Sequence, residues 1–154
     1  MTQIDLPRRT VVIVGGALFS PEGKLLILQR RETAAAPAEW ELPGGRLEFG
    51  ESPELGLVRS FSEKIGLDIS VDRPLGAWSA LKDAGSSGII VHEVHIEYTV
   101  RHSTAVLAVE IDTEVHSAFG WYVQAEIMTR IDSPSAKSSI VRAFASLARS
   151  RKSM

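Results

Sequence analysis

Residues 40–67 constrain the fold of this chain more than any other part of its 154 residues. They read WELPGGRLEFGESPELGLVRSFSEKIGL, in which Gly44-Gly45 ends a short predicted strand. Ser52-Pro53 predicts the start of a helix, because a hydroxyl side chain caps the first turn and proline fits the first helical position. Gly66 predicts the end of that helix. A glycine loop that leads into a helix leaves backbone groups open to a ligand, so this stretch is the candidate site.

The spacing of apolar residues predicts which face of that helix is buried. The expected core-facing positions are Leu55, Val58, Phe61, Ser62 and Ile65. Gly56 destabilises a helix interior by about 1 kcal/mol relative to alanine. We therefore expect another part of the chain to pack closely against Gly56.

The rest of the chain is mainly predicted strands. Strands at 10–18 and 24–29 flank a Ser-Pro-Glu-Gly turn and predict a hairpin. Residues 89–100 alternate, which places Glu93, His95 and Glu97 together on a face turned either to solvent or to a site. Further strands are predicted at 40–42, 75–81, 105–111 and 120–123, loops at 32–39 and 83–88, and helices at 124–130 and 135–149.

The element order predicts an α+β fold with layered helices and sheet, and one domain over residues 1–154. The last helix is expected to bury Ile140, Val141, Phe144, Leu147 and Ala148.

Composition excludes several classes of protein. A formal net charge of −2 argues against a nucleic-acid partner and against binding to a membrane surface. The chain has no cysteine, which excludes disulfides, a cysteine nucleophile and thiolate metal ligands. The apolar run at 11–19 is too short to span a bilayer. We expect a cytoplasmic protein.

A longer frame covers residues 45–67. It can be written G-x5-E-x7-R-E-U-x-E-E-x-G-U, with U an aliphatic residue. Gly45, Glu51 and Arg59 occupy its first fixed positions, and Glu63 and Gly66 occupy later ones. The W-x-L-P-G-G at 40–45 fits the same frame. In these residues the chain resembles the Nudix (MutT-like) hydrolases.

This resemblance implies a fold and an activity. The fold is an α/β/α sandwich around a mixed, mostly antiparallel sheet, and the activity is hydrolysis of a nucleoside diphosphate linked to another group. A divalent cation, Mg²⁺ or Mn²⁺, is implied, because it neutralises phosphate charge and activates a water. The implied metal ligands are Glu63, Glu51 and a backbone carbonyl of Gly44 or Gly45, and Glu63 is the implied catalytic residue. The implied partner is a small nucleotide-type ligand, and a homodimer is left open.

The chain departs from the family pattern at the positions that carry the metal. The pattern has glutamate at three positions on one helix face, and here these are Ser60, Glu63 and Lys64. An ammonium about 5 Å from Mg²⁺ costs about 7 kcal/mol at an effective dielectric constant of about 20. We therefore expect a degenerate site whose metal-dependent activity is weakened or altered.

Three functions stay open for such a site. In the first, hydrolysis persists and a carboxylate from outside the frame, such as Glu110 or Glu114, completes the metal ligands. In the second, Lys64 replaces the metal charge and contacts phosphate directly. In the third, the domain is a non-catalytic nucleotide-binding or regulatory module.

Four residues are candidates for substrate binding: Arg59, Lys64, Trp78 and Arg30. Arg59 is also expected to fix the helix to the loop through Glu63 or Glu51. Trp78 is the first choice for an aromatic wall against a base or sugar, with core packing as the alternative. Arg30 either contacts phosphate or faces water.

His116 is a further candidate, as a general base. It lies in a predicted loop before a strand. The segment is similar to one in the GDP-mannose mannosyl hydrolases, which have an altered frame and use a loop histidine for glycosyl hydrolysis. Those enzymes keep the last glutamate of the frame, where this chain has Lys64.

Overall fold

The computed structural model describes residues 7–33, 37–83, 88–102 and 108–152. Its elements follow an α+β order. In chain order they are β1 (Arg8–Ala17), β2 (Leu25–Arg30), β3 (Trp40–Glu41), β4 (Gly44–Arg46), α1 (Pro53–Ile65), β5 (Ile69–Asp83), β6 (Ile90–His102), β7 (His116–Tyr122), α2 (Gln124–Met128) and α3 (Pro134–Lys152).

The strands form two sheets among the described residues. One has four strands in the order β4-β1-β6-β5, and the other has three in the order β3-β2-β7. Strands β1 and β6 pair in parallel, whereas the other pairings are antiparallel. The predicted mixed, mostly antiparallel architecture is confirmed.

Helices cover both sides of the strands, which makes the layers of the fold. Successive side chains of a strand point to opposite faces, and β2 is buried on both. Leu26 and Leu28 belong to one core cluster, which contains Phe61 of α1. Leu25 and Ile27 belong to a second cluster with residues of α2 and α3. The chain therefore has two hydrophobic layers with β2 between them.

Helix α1 begins and ends where the sequence predicts. The Ser52 side chain accepts a hydrogen bond from the Leu55 amide at 3.3 Å, and Gly66 adopts the left-handed conformation at φ 67°. The expected close packing at Gly56 is also confirmed. A β-carbon there would lie 2.5 Å from Leu47 Cδ1 and 2.7 Å from Glu51 Oε1. Gly56 thus lets the loop before α1 lie against the helix.

Loss of the helix cap gives a first prediction. The Ser52→Ala variant removes the acceptor of the Leu55 amide, and we expect unfolding free energy to fall by about 1 kcal/mol. Ser52→Asp keeps an acceptor and serves as the control, so its stability stays close to the parent's. Urea unfolding followed by circular dichroism measures both. Equal stability of Ser52→Ala and the parent would contradict the cap assignment.

The predicted buried faces of the helices are partly wrong. On α1, Leu55 is 67% exposed and Ser62 is exposed, whereas Leu57 and Ser60 are buried. On α3, Val141 is exposed, and the buried residues are Ser139, Ile140, Ala143 and Ser146. In both helices small polar residues occupy buried positions. A prediction that counts only large apolar residues therefore places the buried face at the wrong angle around the helix axis.

The predicted hairpin of the first two strands forms only next to its turn, where Phe19 and Leu25 make an antiparallel bridge. The turn forms, since Ser20 N–H donates to the Lys24 carbonyl at 2.8 Å. Beyond it, however, the strands enter different sheets. Strand β1 has β4 on one side and β6 on the other, so neither edge is open to β2.

Three strand predictions need new bounds. Strand β5 runs over Ile69–Asp83 rather than 75–81, and β7 begins at His116 rather than at 120. Its pairing with β2 extends to His116 opposite Arg30. Residues 108–111 form no strand, and 105–107 lie outside the described residues. The loop expectations at 34–36 and 84–87 also lie outside them.

Among the described helices, none combines the length and apolar character needed to cross a membrane.

Candidate active site

The site begins where β4 passes helix α1. Gly45 pairs with Val14 of β1 and faces α1. A β-carbon at Gly45 would overlap Lys64 Nζ and would lie 3.1 Å from Ser60 Oγ. The missing side chain therefore allows the Lys64 ammonium to lie directly against the backbone of the glycine loop.

Arg59 joins the loop to the helix, as predicted from its place in the frame. Its Nε donates to Glu51 Oε2 at 2.7 Å and its Nη2 donates to Glu51 Oε1 at 2.9 Å. Nη2 also donates to the Arg46 carbonyl at 3.0 Å, and Nη1 donates to Glu63 Oε2 at 3.0 Å. The two-pronged pairing with Glu51 is the strong geometry for arginine and carboxylate. Arg59 thus holds the strand, the loop and the helix together.

Glu51 is committed to this structural pairing. Hydrogen bonds from Arg59, and next from the Glu48 amide, lower its pKa from 4.5 to about 2. The same pairing raises the pKa of Arg59. Because both oxygens of Glu51 accept from Arg59, the carboxylate serves the scaffold in this structure.

This pairing predicts a specific acid dependence of stability. The pKa of Glu51 is lower in the folded chain than its ordinary 4.5, so its contribution is fully present above about pH 4.5 and is lost as pH falls towards about 2. Glu51→Gln should be less stable than the parent at pH 7 and should lose less stability across that acid range. Thermal melts from pH 7 to pH 2 test this, with exposed Glu114→Gln as the control. Parallel pH profiles of Glu51→Gln and the parent would rule it out.

The residues present do not fit a divalent-metal cluster. Among the described residues, no group of three or more histidine or acidic side chains is placed to hold a metal ion. Glu51 is engaged by Arg59, and Glu63 is 60% exposed. The two hypothesised additional ligands lie elsewhere: Glu110 packs beside Gly66, at the end of α1, and neither it nor Glu114 lines the cleft described below.

Lys64 occupies the centre of this arrangement. Burial lowers its pKa, with further lowering from Arg30 and Arg59 and opposing effects of Glu41 and Glu63. The buried Ser60 Oγ beside it has no hydrogen-bond partner among the described residues. A cation and a polar hydroxyl at the glycine loop suit a phosphate oxygen better than a metal ion.

A cleft of about 530 Å³ is lined by Lys64 and Arg59 of α1 and by residues of β1, β3, β4, β5, β6 and α3. Its end near α1 is polar and has a positive excess, with four cations, Arg30, Arg46, Arg59 and Lys64, against three carboxylates, Glu39, Glu41 and Glu48. Its other end is bounded by β5, β6 and α3 and mixes apolar side chains with polar and charged ones, Lys82 and Glu93 among them. The lining there includes Ile13, Leu42, Trp78, His95, Glu97, Ile131, Ala136, Ser139 and Ile140. The volume and mixed lining are those of a small-molecule site.

The cleft contains some of the predicted site residues. Gly45, Arg59, Lys64, Trp78 and Arg30 all line it. Trp78 stacks on His95 with ring centroids 3.8 Å apart and an interplanar angle of 7°. Arg30 Nη1 lies 3.9 Å from Glu41 Oε2.

Glu51, Glu63 and His116 do not line the cleft. His116 is 1% exposed, and its Nε2 lies 3.0 Å from Glu41 Oε1. It begins strand β7 rather than lying in a loop, and Nδ1 has no partner among the described residues. The geometry lends no support to His116 as a general base or to glycosyl hydrolysis that depends on it.

Sequence reasoning missed several polar residues of the cleft. Glu93 lies 3.2 Å from both His95 Nε2 and Lys82 Nζ, and Glu97 lies deeper. The alternation in 89–100 placed Glu93, His95 and Glu97 on one face but did not show whether that face meets solvent or ligand. Ser139, from α3, gave no signal in the sequence.

The family assignment follows from a direct comparison. Residues 9–144 match the family model for the NUDIX domain. The chain belongs to the Nudix family. Nudix hydrolases generally use divalent metals, and in this chain two of the three frame glutamates are Ser60 and Lys64.

Curated relatives with sequence similarity carry related names. A MutT-like protein of Streptomyces ambofaciens is 37% identical over 67 residues, which is 44% of this chain and 41% of that protein. A putative 8-oxo-dGTP diphosphatase 2 of Mycobacterium tuberculosis is 29% identical over 119 residues, 75% of each chain. The chain spans about half the length of the first curated relatives it matches.

Solved structures share the fold at lower identity. A MutT protein from Methanosarcina mazei Go1 has a TM-score of 0.70 at 20% identity, over 90% of this chain and 96% of that one. A C. elegans Ap4A hydrolase has a TM-score of 0.66 at 17% identity, over 90% and 98%. These likenesses establish the Nudix fold.

Proposed function

We propose that this Nudix protein hydrolyses a nucleoside diphosphate linked to another group, with a weakened and altered dependence on divalent metal. The observation that carries the proposal is the Lys64 ammonium against Gly45, at the cationic end of the cleft. A diphosphate repels nucleophiles, so its charge must be countered before water can attack. Lys64 supplies part of that counter-charge as a point cation.

Other groups support diphosphate binding at the same end. Arg30 and Arg46 line the cleft near Lys64 and add positive charge, with Arg30 partly offset by Glu41 at 3.9 Å, whereas Arg59 is engaged by Glu51 and Glu63. The names of curated relatives point the same way, since they include 8-oxo-dGTP diphosphatase, CTP pyrophosphohydrolase and RNA pyrophosphohydrolase. Each name describes cleavage of a diphosphate linkage in a nucleotide. We therefore propose a substrate of this class.

In the proposed reaction, a water oxygen forms a bond to phosphorus while the bridging P–O bond breaks. The leaving phosphate oxygen takes the electron pair of that bond, and Glu63 accepts the proton of the water. Glu63 is the carboxylate that remains of the three family positions. It lies outside the lining of the cleft, but it is next to Lys64 in the chain and accepts from Arg59, and both of these residues line the cleft. Glu63 Oε2 accepts from Arg59, which leaves Oε1 without a hydrogen bond among the described residues. It can therefore take up a proton.

A substrate panel tests the proposal. ADP-ribose, dinucleotides, nucleoside triphosphates and sugar nucleotides are incubated with the protein in EDTA, Mg²⁺ or Mn²⁺. We expect slow release of a nucleoside phosphate from at least one compound, and we expect part of the activity to survive EDTA.

Other outcomes would replace the proposal. Complete loss of turnover in EDTA would show that Lys64 does not substitute for metal. Binding by calorimetry without product from any compound would establish the non-catalytic module instead.

A further inference from the structure

Glu97 occupies an unusual place in the half of the cleft that β5, β6 and α3 bound. It lies in the middle of β6 and is 6% exposed, yet it lines the cleft. Its neighbour on β1 is Gly15 and its neighbour on β5 is Gly76. Because both cross-strand neighbours lack side chains, the Glu97 carboxylate is not flanked by a side chain at either paired position.

The two oxygens of Glu97 have different surroundings. Oε1 accepts a hydrogen bond from Ser139 Oγ at 2.5 Å and lies 3.7 Å from Arg142 Nη2. Oε2 forms no hydrogen bond with any described residue. It would lie 3.8 Å from a β-carbon at Gly15, so it is next to the space that this glycine leaves open. Glu97 lines the cleft, so Oε2 is an acceptor that a ligand N–H can reach, and a hydrogen bond to a charged acceptor is a strong one.

The surroundings of Oε2 define the shape of such a ligand. Ile131, Ala136 and Ile140 give the cleft apolar walls, and Trp78 stacked on His95 gives it an aromatic one. A flat heteroaromatic ring with donors on one edge matches these walls and the Oε2 acceptor.

We propose that Glu97 is the residue that selects the nucleobase, and that it favours a guanine-type edge. Guanine presents N1–H and the 2-amino group as adjacent donors, and both can meet one carboxylate. Adenine and cytosine place a ring-nitrogen acceptor beside the amino group, and uracil has one N–H between two carbonyls. These acceptors repel a carboxylate. This inference rests on the proposed function, because it assigns the base of the same nucleotide.

Comparison of GDP with IDP by calorimetry tests the inference without requiring turnover. IDP differs from GDP by the absence of the 2-amino group. A hydrogen bond to a charged acceptor predicts about 10- to 100-fold tighter binding of GDP. In Glu97→Gln this preference should shrink to about twofold or less, whereas Asp72→Asn, an acid outside this cleft, should keep it.

A second variant leaves the carboxylate in place. An alanine side chain at Gly15 makes ordinary contacts of 3.7 Å with Glu97 Cγ and Leu42 Cβ, so Gly15→Ala should fold. It fills the space beside Oε2, and we expect at least about tenfold weaker GDP binding. Unchanged GDP binding by folded Gly15→Ala would contradict the inference.

The remaining outcomes separate the two proposals. Equal affinity of the parent for GDP and IDP overturns the role of Glu97 and leaves the proposed function intact. No binding of GDP, ADP, CDP or UDP overturns both.

Discussion

Glu63→Gln is expected to lower kcat by about 10²- to 10⁴-fold on whichever compound the panel identifies, because the amide cannot accept the proton of the attacking water. Substrate affinity should change little. The carbonyl of the introduced amide can still accept from Arg59 Nη1, which lies 3.0 Å from Glu63 Oε2 in the parent, so the loop and helix should stay joined. Steady-state kinetics with a melting curve for each variant measures both effects.

Glu54→Gln is the matched control for this variant. Glu54 lies in the first turn of the same helix, and its Oε1 is 3.4 Å from the Tyr98 hydroxyl. The same chemical change there should leave kcat within about twofold, as surface substitutions usually change little. A Glu63→Gln protein as fast as the parent would remove Glu63 from the reaction and leave the phosphate-binding role of Lys64 to be judged separately.

Lys64→Glu is expected to increase Mn²⁺ or Mg²⁺ affinity by about 10- to 100-fold, since a cation beside the metal position becomes an anion. Turnover in EDTA should fall at the same time, because the ammonium that counters phosphate charge is gone. The variant should therefore depend on metal more than the parent does. Calorimetry with the metal alone and turnover with and without EDTA measure these two effects.

Two further variants separate charge from position. Lys64→Met removes the cation without adding a ligand, so it should lose the EDTA-resistant activity and gain less metal affinity than Lys64→Glu. Lys24→Glu makes the same charge change at an exposed residue outside the cleft and should change neither property. Equal metal affinity of Lys64→Glu and the parent would show that the charge at residue 64 does not control metal binding.

The sequence was most informative where structure depends on neighbours along the chain. The bounds of α1 follow from Ser52-Pro53 and Gly66, whose capping contacts stay within one helix turn. The pairing of β1 was not predictable in the same way. Its partners β4 and β6 come from residues 44–46 and 90–102, and pairing over such separations leaves no local pattern.

The same division applies to the candidate site. The spacing of the frame identified Gly45, Arg59 and Lys64, which the fold brings to one end of the cleft. The sequence placed Glu97 on a strand face but gave no sign of its contact with Ser139, because the two residues are 42 apart in the chain and meet only when α3 packs on β6. Periodicity assigns a side chain to one face of a strand, but it does not show whether solvent, another element of the fold or a ligand contacts that face.

The clamp that Arg59 makes with Glu51, Glu63 and Arg46 has a consequence for the free protein. These contacts lie wholly within the chain, so the loop before α1 is shaped in advance and needs no ion to set it. The backbone amides of Leu47, Glu48 and Glu51 donate within the chain, so they should exchange slowly with solvent deuterium in the free protein, and saturating nucleotide should add little protection. The loop therefore loses its conformational entropy when the chain folds, and nucleotide binding does not have to order it again.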